Sequence, residues 1–554
     1  MSSVCPDGLF LSFYLSVPYA INQTIPRSLC RGIDLSDVSS KMAPKTENHE
    51  IENVAGVNDV FEPQKNHTDY TQVDKEIAKY ATDGAIEIDE ATNKRLKKMI
   101  DKRVLVVMMF TYLLQTLDKG ALSFASIMGI KTDAHLVGQQ YSWLTTIVYI
   151  AILVVEYPEN WIIQRVPIGK WLSINILLWG ICISLIAAMD TFEGLATLRA
   201  FMGVFEAACQ PTFVVLSATW YRREEQASTI NFWFMMNGLQ NIVGGLLAFG
   251  FSFVPSTSPI KSWQALFMSY GIITVLWSIF VFFWLPDSIM RAKCWSEEDK
   301  RLMVERVRQN QTGLQNRNFK WDQVKEAFAD PQLYAFALIQ LLTTIPSGGI
   351  GAFANIIVSS FGFSTWASQL LLMVVGAVTA ITMITSAYLD RYFKQTIIIM
   401  MLALVPSILG TSILVGIPFS SSKKIGMLIA YFIFYSFFAV QSLSLSLMSR
   451  NVAGQTKKSI VIACNFVFWA GGNAIGPQIF RDKDAPRYFL AFAIMLGCFG
   501  LCLIVLISLR MWYSIQNRRR DARIASGEVM PDVHFTHAFE DITDRKNPHF
   551  RYTY

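Results

Sequence analysis

Four ionisable residues stand inside long apolar stretches of a weakly charged chain. Asp118 and Lys119 lie in Leu117-Asp118-Lys119-Gly120-Ala121-Leu122-Ser123, and Arg199 and Glu206 lie in Leu198-Arg199-Ala200-Phe201-Met202-Gly203-Val204-Phe205-Glu206. A charge in hydrocarbon costs about 2.5 to 3.5 kcal/mol on insertion scales, so each of the four marks a candidate functional site. Arg199 and Glu206, seven residues apart, fall on one helix face about 10 Å apart along the axis. In one reading, Lys119 and Arg199 form a positive site for an anion, while Asp118 and Glu206 take up and release a proton as water access alternates. Desolvation helps a carboxyl keep its proton and a neighbouring Lys or Arg opposes that, so anion and proton compete for one field. In the other reading, Asp118 with Arg199, or Lys119 with Glu206, are static ion pairs that hold helices together.

Polar amides form two further stripes. Asn237, Gln240 and Asn241 recur at i, i+3, i+4, and Asn465, Trp469 and Asn473 at i, i+4, i+8. Each stripe can line a cavity or bond to a neighbouring helix. Asn237, Asn241, Trp469 and Asn473 are the candidates for substrate contact, with Gln340, Asn355, Gln369 and Gln441 as weaker ones. The runs Ser347-Gly348-Gly349-Ile350-Gly351 and Gly471-Gly472-Asn473-Ala474-Ile475-Gly476-Pro477 can bend during a conformational change or allow close helix packing. Glu156, before Tyr157-Pro158, is placed to form a gate with Arg165 or Arg222.

The elements that position these residues must be membrane helices. The 554 residues are 52% hydrophobic and 16% charged, against roughly a quarter charged in soluble domains, which excludes an ordinary soluble enzyme. Windows of about 20 apolar residues, each able to cross about 30 Å of hydrocarbon, recur near 104–128, 140–163, 171–189, 194–217, 227–251 and 264–285. After a polar stretch they resume near 332–358, 364–389, 396–417, 425–447, 459–479 and 487–511. The fold expected is all-α, with twelve transmembrane helices in two halves of six. The segment Asn231-Phe232-Trp233-Phe234 in the fifth span is echoed by Asn465-Phe466-Val467-Phe468 in the eleventh, and each span then carries a Gly pair. Parallel half-repeats of this kind mark secondary transporters.

The six His (49, 67, 135, 534, 537 and 549) all lie outside the spans, and no C-x-x-C pair or Cys/His cluster occurs. No metal centre, haem or Ser-His-Asp chemistry is expected, and no cofactor. Without G-x-x-x-x-G-K-[ST] the chain has no cradle for ATP, and a net charge of +6 spread between apolar segments argues against nucleic acid. Lys and Arg collect at Arg165 and Lys170, Arg222 and Arg223, the central loop, Arg391 and Lys394, and Arg450, Lys457 and Lys458. The positive-inside rule then puts both termini in the cytosol. Residues 1–103 and 512–554 are expected to be disordered cytosolic regions, and 286–331 a cytosolic loop with amphipathic helices, one starting at Ser296-Glu297-Glu298-Asp299. Residues 1–41 look like a dispensable extension ahead of Met42. The sequons at Asn22, Asn66 and Asn310 fall on the cytosolic side and are expected to stay unmodified.

The sequence resembles the major facilitator superfamily, and within it the fungal allantoate permease branch of the anion:cation symporters. The likeness covers about residues 100–515. It rests on Leu117 to Ser123, Tyr141-Ser142-Trp143, Glu156-Tyr157-Pro158, Pro167-Ile168-Gly169-Lys170, Leu198-Arg199 with Gly203, Glu206-Ala207 and Pro211, Trp220-Tyr221, Leu285-Pro286-Asp287, Asn310-Gln311-Thr312-Gly313 and Gly472-Asn473-Ala474-Ile475-Gly476-Pro477-Gln478. The resemblance implies the major facilitator fold and proton-coupled symport of small organic anions such as allantoate, nicotinate, other vitamins or short peptides. It also implies that Asp118, Lys119 and Glu206 handle proton and anion. One departure stands out: the Asp usual in the superfamily's loop after span 2 is replaced by the run Asn160 to Arg165, whereas the second half keeps Asp390-Arg391. The first-half gate would then depend on Glu156.

The expected function is uptake of a small carboxylate with protons across the plasma membrane by a monomer whose partners are substrate, proton and lipid bilayer. Export of a metabolite, and a nutrient sensor of the same fold, stand as alternatives. An enzyme is not expected.

Overall fold

The computed structural model describes residues 88–163, 165–222, 225, 229, 232–233, 235–255, 257–308, 320–418, 421–526 and 542–554. The sequons and residues 1–41 lie outside these. Among the described residues all regular structure is helical, and eleven helices are long and apolar enough to cross a bilayer. The first half comprises α1 (Glu90–Ser126), α2 (Gln140–Ile163), α3 (Ile168–Ile186), α4 (Phe192–Ser217), α5 (Met236–Phe251) and α6 (Ser262–Trp284). At 16 residues α5 is the one short of spanning length, because part of the expected span 227–251 lies among residues not described.

Among the described residues two helices follow in the central connection, α7 (Glu297–Arg308) and α8 (Trp321–Phe328). Ser296 caps α7 by accepting from the Asp299 N–H at 3.1 Å. Each helix belongs to a different half. On α7, Arg306 grips Glu225 with contacts of 2.5 and 2.6 Å, and Asp299 pairs with Arg95 of α1 at 2.6 Å. On α8, Gln323 accepts the backbone N–H groups of Thr456 and Lys457.

The second half is α9 (Pro331–Ser360), α10 (Thr365–Phe393), α11 (Thr396–Gly416), α12 (Lys424–Asn451), α13 (Thr456–Ile479) and α14 (Phe489–Ala525). The halves meet through α1 on α9, α2 on α13 and α5 on α10. Hydrogen bonds that cross between them lie toward the end opposite the central connection. There Gln139 donates to Gln478 O, Tyr141 to Ala352 O, Thr146 to Ala474 O and Asn355 to Ser123 Oγ. Toward the connection end, Val154, Tyr157 and Trp161 of α2 and Ile384, Tyr388 and Tyr392 of α10 are exposed. The hydrogen-bonded contact between the halves, among the described residues, is thus at the end away from the connection.

Glycines also allow close packing within the second half, of α9 on α13. A Cβ on Gly476 would stand 2.5 Å from both Gly349 N and Ile345 O, and one on Gly348 would stand 2.8 Å from Asn473 Cα. Both glycine runs lie within or at the end of helices, α9 and α13, so in this state their role is close approach of two backbones.

The described segments nearest the two ends depart from expectation. The first described helix begins at Glu90, well before the apolar window, because Asp89 caps it and Leu96, Ile100 and Val104 have a surface to bury against. At the other end, α14 continues to Ala525 and residues 542–554 fold back onto the second half. Lys457, fully buried, holds Asp544 at 2.8 Å together with Asp330 and Glu326. Asn451 exchanges hydrogen bonds with Thr553, and the Tyr552 ring stacks on Tyr513 at 4.9 Å. The 512–554 segment is thus not a disordered tail where it is described: the buried Asn451 of α12, Lys457 of α13 and Tyr513 of α14 fix its last residues.

Candidate functional site

Asp118 and Lys119 are neighbours on α1, and a helix turns about 100° per residue, so their side chains leave it in different directions. Lys119 Nζ stands 2.6 Å from a Glu206 carboxylate oxygen of α4; the lysine side chain is 24% exposed and that of Glu206 is 0%. The angles of this contact leave the Glu206 oxygens without a well-formed hydrogen bond. Asp118 points into the first half. Both its oxygens are buried without a hydrogen-bond partner, and Arg199 and Glu206 are the charges within electrostatic reach. Arg199 is buried as well, its guanidinium facing the Phe267 ring at 5.9 Å and one terminal nitrogen unsatisfied.

The four ionisable side chains therefore lie together in the first half, two acidic and two basic, and of the four Lys119 keeps part of its side chain exposed. Arg199, expected to bind substrate, is almost wholly buried. Its near-complete burial makes it a counter-charge for Asp118 and Glu206 instead. Close packing gives this geometry: a Cβ on Gly203 would stand 2.6 Å from Val148 O, so glycine lets α4 press on α2 and hold Glu206 against α1.

Tyrosines surround the pair, and sequence reasoning missed them. Tyr112, two turns before Lys119, accepts from Asn237 Nδ2 at 2.9 Å and packs edge-on against Trp233 at 4.9 Å. Tyr149 of α2 lies within electrostatic reach of Lys119 and Glu206 and meets Trp469 of α13 edge to face, with centroids 5.8 Å apart. The spacing of Tyr112 and Lys119 on one face was the available signal. Gln240 lies against Gly120, where a Cβ would clash with its amide.

Other expected residues are used differently. Asn473 donates to the Trp469 carbonyl of its own helix, and Asn241 packs its Cβ against Gly376 of α10. Both serve helix contact. Arg165 lies over the Trp161 ring at 3.8 Å and donates to that residue's carbonyl, so it is not brought to Glu156, which is buried. Arg222 is held through its backbone N–H by Glu225. Asp390 accepts from Thr396 and from Arg450 at 3.2 Å, whereas Arg391 is exposed. The second-half cluster is Asp390, Thr396 and Arg450, because the rotation of about 100° per residue points neighbouring Asp390 and Arg391 in different directions.

The sequence profile of the Major Facilitator Superfamily matches residues 108–477, which include every residue of the charged group. The chain belongs to the major facilitator superfamily. Among superfamily relatives, the allantoate permease of Saccharomyces cerevisiae is 32% identical over 84% of this chain and 88% of its own length. The thiamine pathway transporter THI73 of the same yeast is 34% identical over 84% and 87%. A crystal structure of a D-xylose-proton symporter superposes with a TM-score of 0.58 at 11% identity, covering 73% of this chain and 96% of that one, and so shares the fold. The protein is a multi-pass membrane transporter of this superfamily and not an enzyme.

Proposed function

We propose that this transporter carries a small organic anion, such as allantoate, nicotinate or a related carboxylate, together with protons into the cell across the plasma membrane. Both termini and the central connection then lie in the cytosol. The observation that carries the reading is the Lys119–Glu206 pair: a cation with access to the opening, neutralised by a carboxylate that has none. While Glu206 is ionised it occupies Lys119. A proton on Glu206 releases the ammonium, which then attracts a substrate carboxylate at the opening. Proton and anion thus bind as partners, which is the linkage that symport requires. Asp118 and Arg199 balance the field around Glu206, and Trp469 and Tyr149 form the apolar wall across which the halves meet. The driving force adds the pH gradient to a membrane potential worth about 2.3 kcal/mol per charge per 100 mV. Relatives named as permease and pathway transporter support a small-molecule cargo.

The test is uptake of labelled allantoate, nicotinate, short peptides and cationic thiamine in yeast expressing the chain, at acidic and neutral pH, with and without a protonophore. Accumulation of an anion at acidic pH that collapses with the protonophore is expected. Uptake of thiamine alone, or accumulation indifferent to the protonophore, overturns the reading.

A further inference from the structure

A cavity of about 190 Å³ lies away from the charged group, where the last helix runs on past its apolar segment. Its wall contains Arg519, Arg520, Arg523 and Arg545 beside Trp512 and Tyr552. The helical members recur at i, i+7, i+8 and i+11 from Trp512, hence on one face of α14, and Arg545 is delivered by the returning tail. Four guanidinium groups around so small a space repel one another unless an anion joins them. The nearby carboxylates are taken: Asp544 is committed to Lys457 and Tyr552, and Asp521 pairs with Arg551 at 2.7 Å. Arg520 is occupied in holding the carbonyls of Phe550 and Asp544. Among the described residues Arg519 and Arg523 are exposed and pair with no carboxylate.

We propose that this cavity binds a multiply phosphorylated anion of the inositol phosphate kind, with Arg519, Arg523 and Arg545 as its phosphate ligands. Guanidinium forks take phosphate oxygens two at a time. The Trp512 and Tyr552 rings offer a flat wall for the carbon face of a six-membered polyol. A half-buried Trp512 at the end of the apolar stretch puts the arginines about 10 to 16 Å further along the helix, close to lipid headgroups. The ligand can therefore be a phosphoinositide headgroup or a free inositol phosphate, and the lipid source rests on the cytosolic placement proposed above. Because Arg545 is on the tail and Arg519 and Arg523 on α14, the ligand would staple the tail in place.

The full chain, purified and reconstituted, is tested against nanodiscs of phosphatidylcholine alone, with phosphatidylserine, and with phosphatidylinositol 4,5-bisphosphate, and in detergent against inositol hexakisphosphate. Both faces of a nanodisc are open, so the outcome does not depend on orientation or on transport. Binding of the bisphosphate lipid above phosphatidylserine, weakened about 30-fold in Arg519→Ala/Arg523→Ala, supports the site with a lipid source. The same loss for inositol hexakisphosphate alone supports a soluble source. Arg518→Ala, next in sequence but outside the cavity wall, is the control for general basic attraction. Equal loss in Arg518→Ala, no loss in the double variant, or no binding of either ligand overturns the proposal. These side chains are exposed, so melting curves should match the parent and tie the losses to the site.

Discussion

Tyr149 of the first half and Trp469 of the second meet edge to face with ring centroids 5.8 Å apart. That contact joins the half that carries the charged group to the other half, with Tyr149 within electrostatic reach of Lys119. An aromatic pair of this geometry is worth about 0.5 to 1.5 kcal/mol beyond its buried area. Trp469→Ala is therefore expected to raise the apparent KM of the transported anion by up to about tenfold, and Trp469→Phe by less. Uptake kinetics with a Tyr149→Ala, Trp469→Ala double-mutant cycle check this, and strictly additive effects would show the contact to be incidental.

Glu206→Gln removes the proton carrier and keeps the shape. Accumulation at about pH 5 is expected to fall to the equilibrium level and lose its dependence on pH, while counterflow exchange persists because Lys119 is permanently released. Retained uphill accumulation would assign the proton elsewhere, with Asp118 the next candidate.

Removing Lys119 alone leaves the Glu206 carboxylate enclosed without its counter-charge. A loss of about 3 to 5 kcal/mol is characteristic of such a broken buried pair, so Lys119→Ala should express poorly and melt early. Lys119→Ala/Glu206→Gln should recover much of the stability without recovering anion affinity. Fluorescence-detected thermal melts separate the two, and a double variant no better than the single would mean that the pair is not the stabilising unit.

Arg199→Ala carries a different expectation. Because the guanidinium is enclosed beside Asp118 rather than open to substrate, the variant should lose stability and shift the pH dependence of transport, leaving the KM of the surviving activity within about twofold. A large KM rise with normal stability would return Arg199 to the substrate site.

At the far end of the chain, Lys457 is held by Glu326, Asp330 and Asp544. Asp544→Asn leaves the lysine two carboxylates and should cost little, whereas Lys457→Ala buries three acids together and should destabilise by about 3 to 5 kcal/mol or more. Comparison of melting temperatures decides the order.

Much of this was legible locally. A membrane demands about 20 apolar residues per span and penalises each charge within one, and both are properties of short windows. Twelve spans in two halves and the set Asp118, Lys119, Arg199 and Glu206 could therefore be read from the chain before any packing was known. Helix rotation is not local. Whether Lys119 or Asp118 faced Glu206, whether Arg199 met substrate or Asp118, and whether Asp390 took Arg391 or Arg450 depended on how neighbouring helices seat against one another. Glycines such as Gly203 set that seating by allowing backbone contact. The tail shows the same division most plainly. Residues 542–554 lack the apolar length to predict an ordered element. Their order comes from Lys457, Tyr513 and Asn451, partners distant in sequence that the folded second half assembles into one surface.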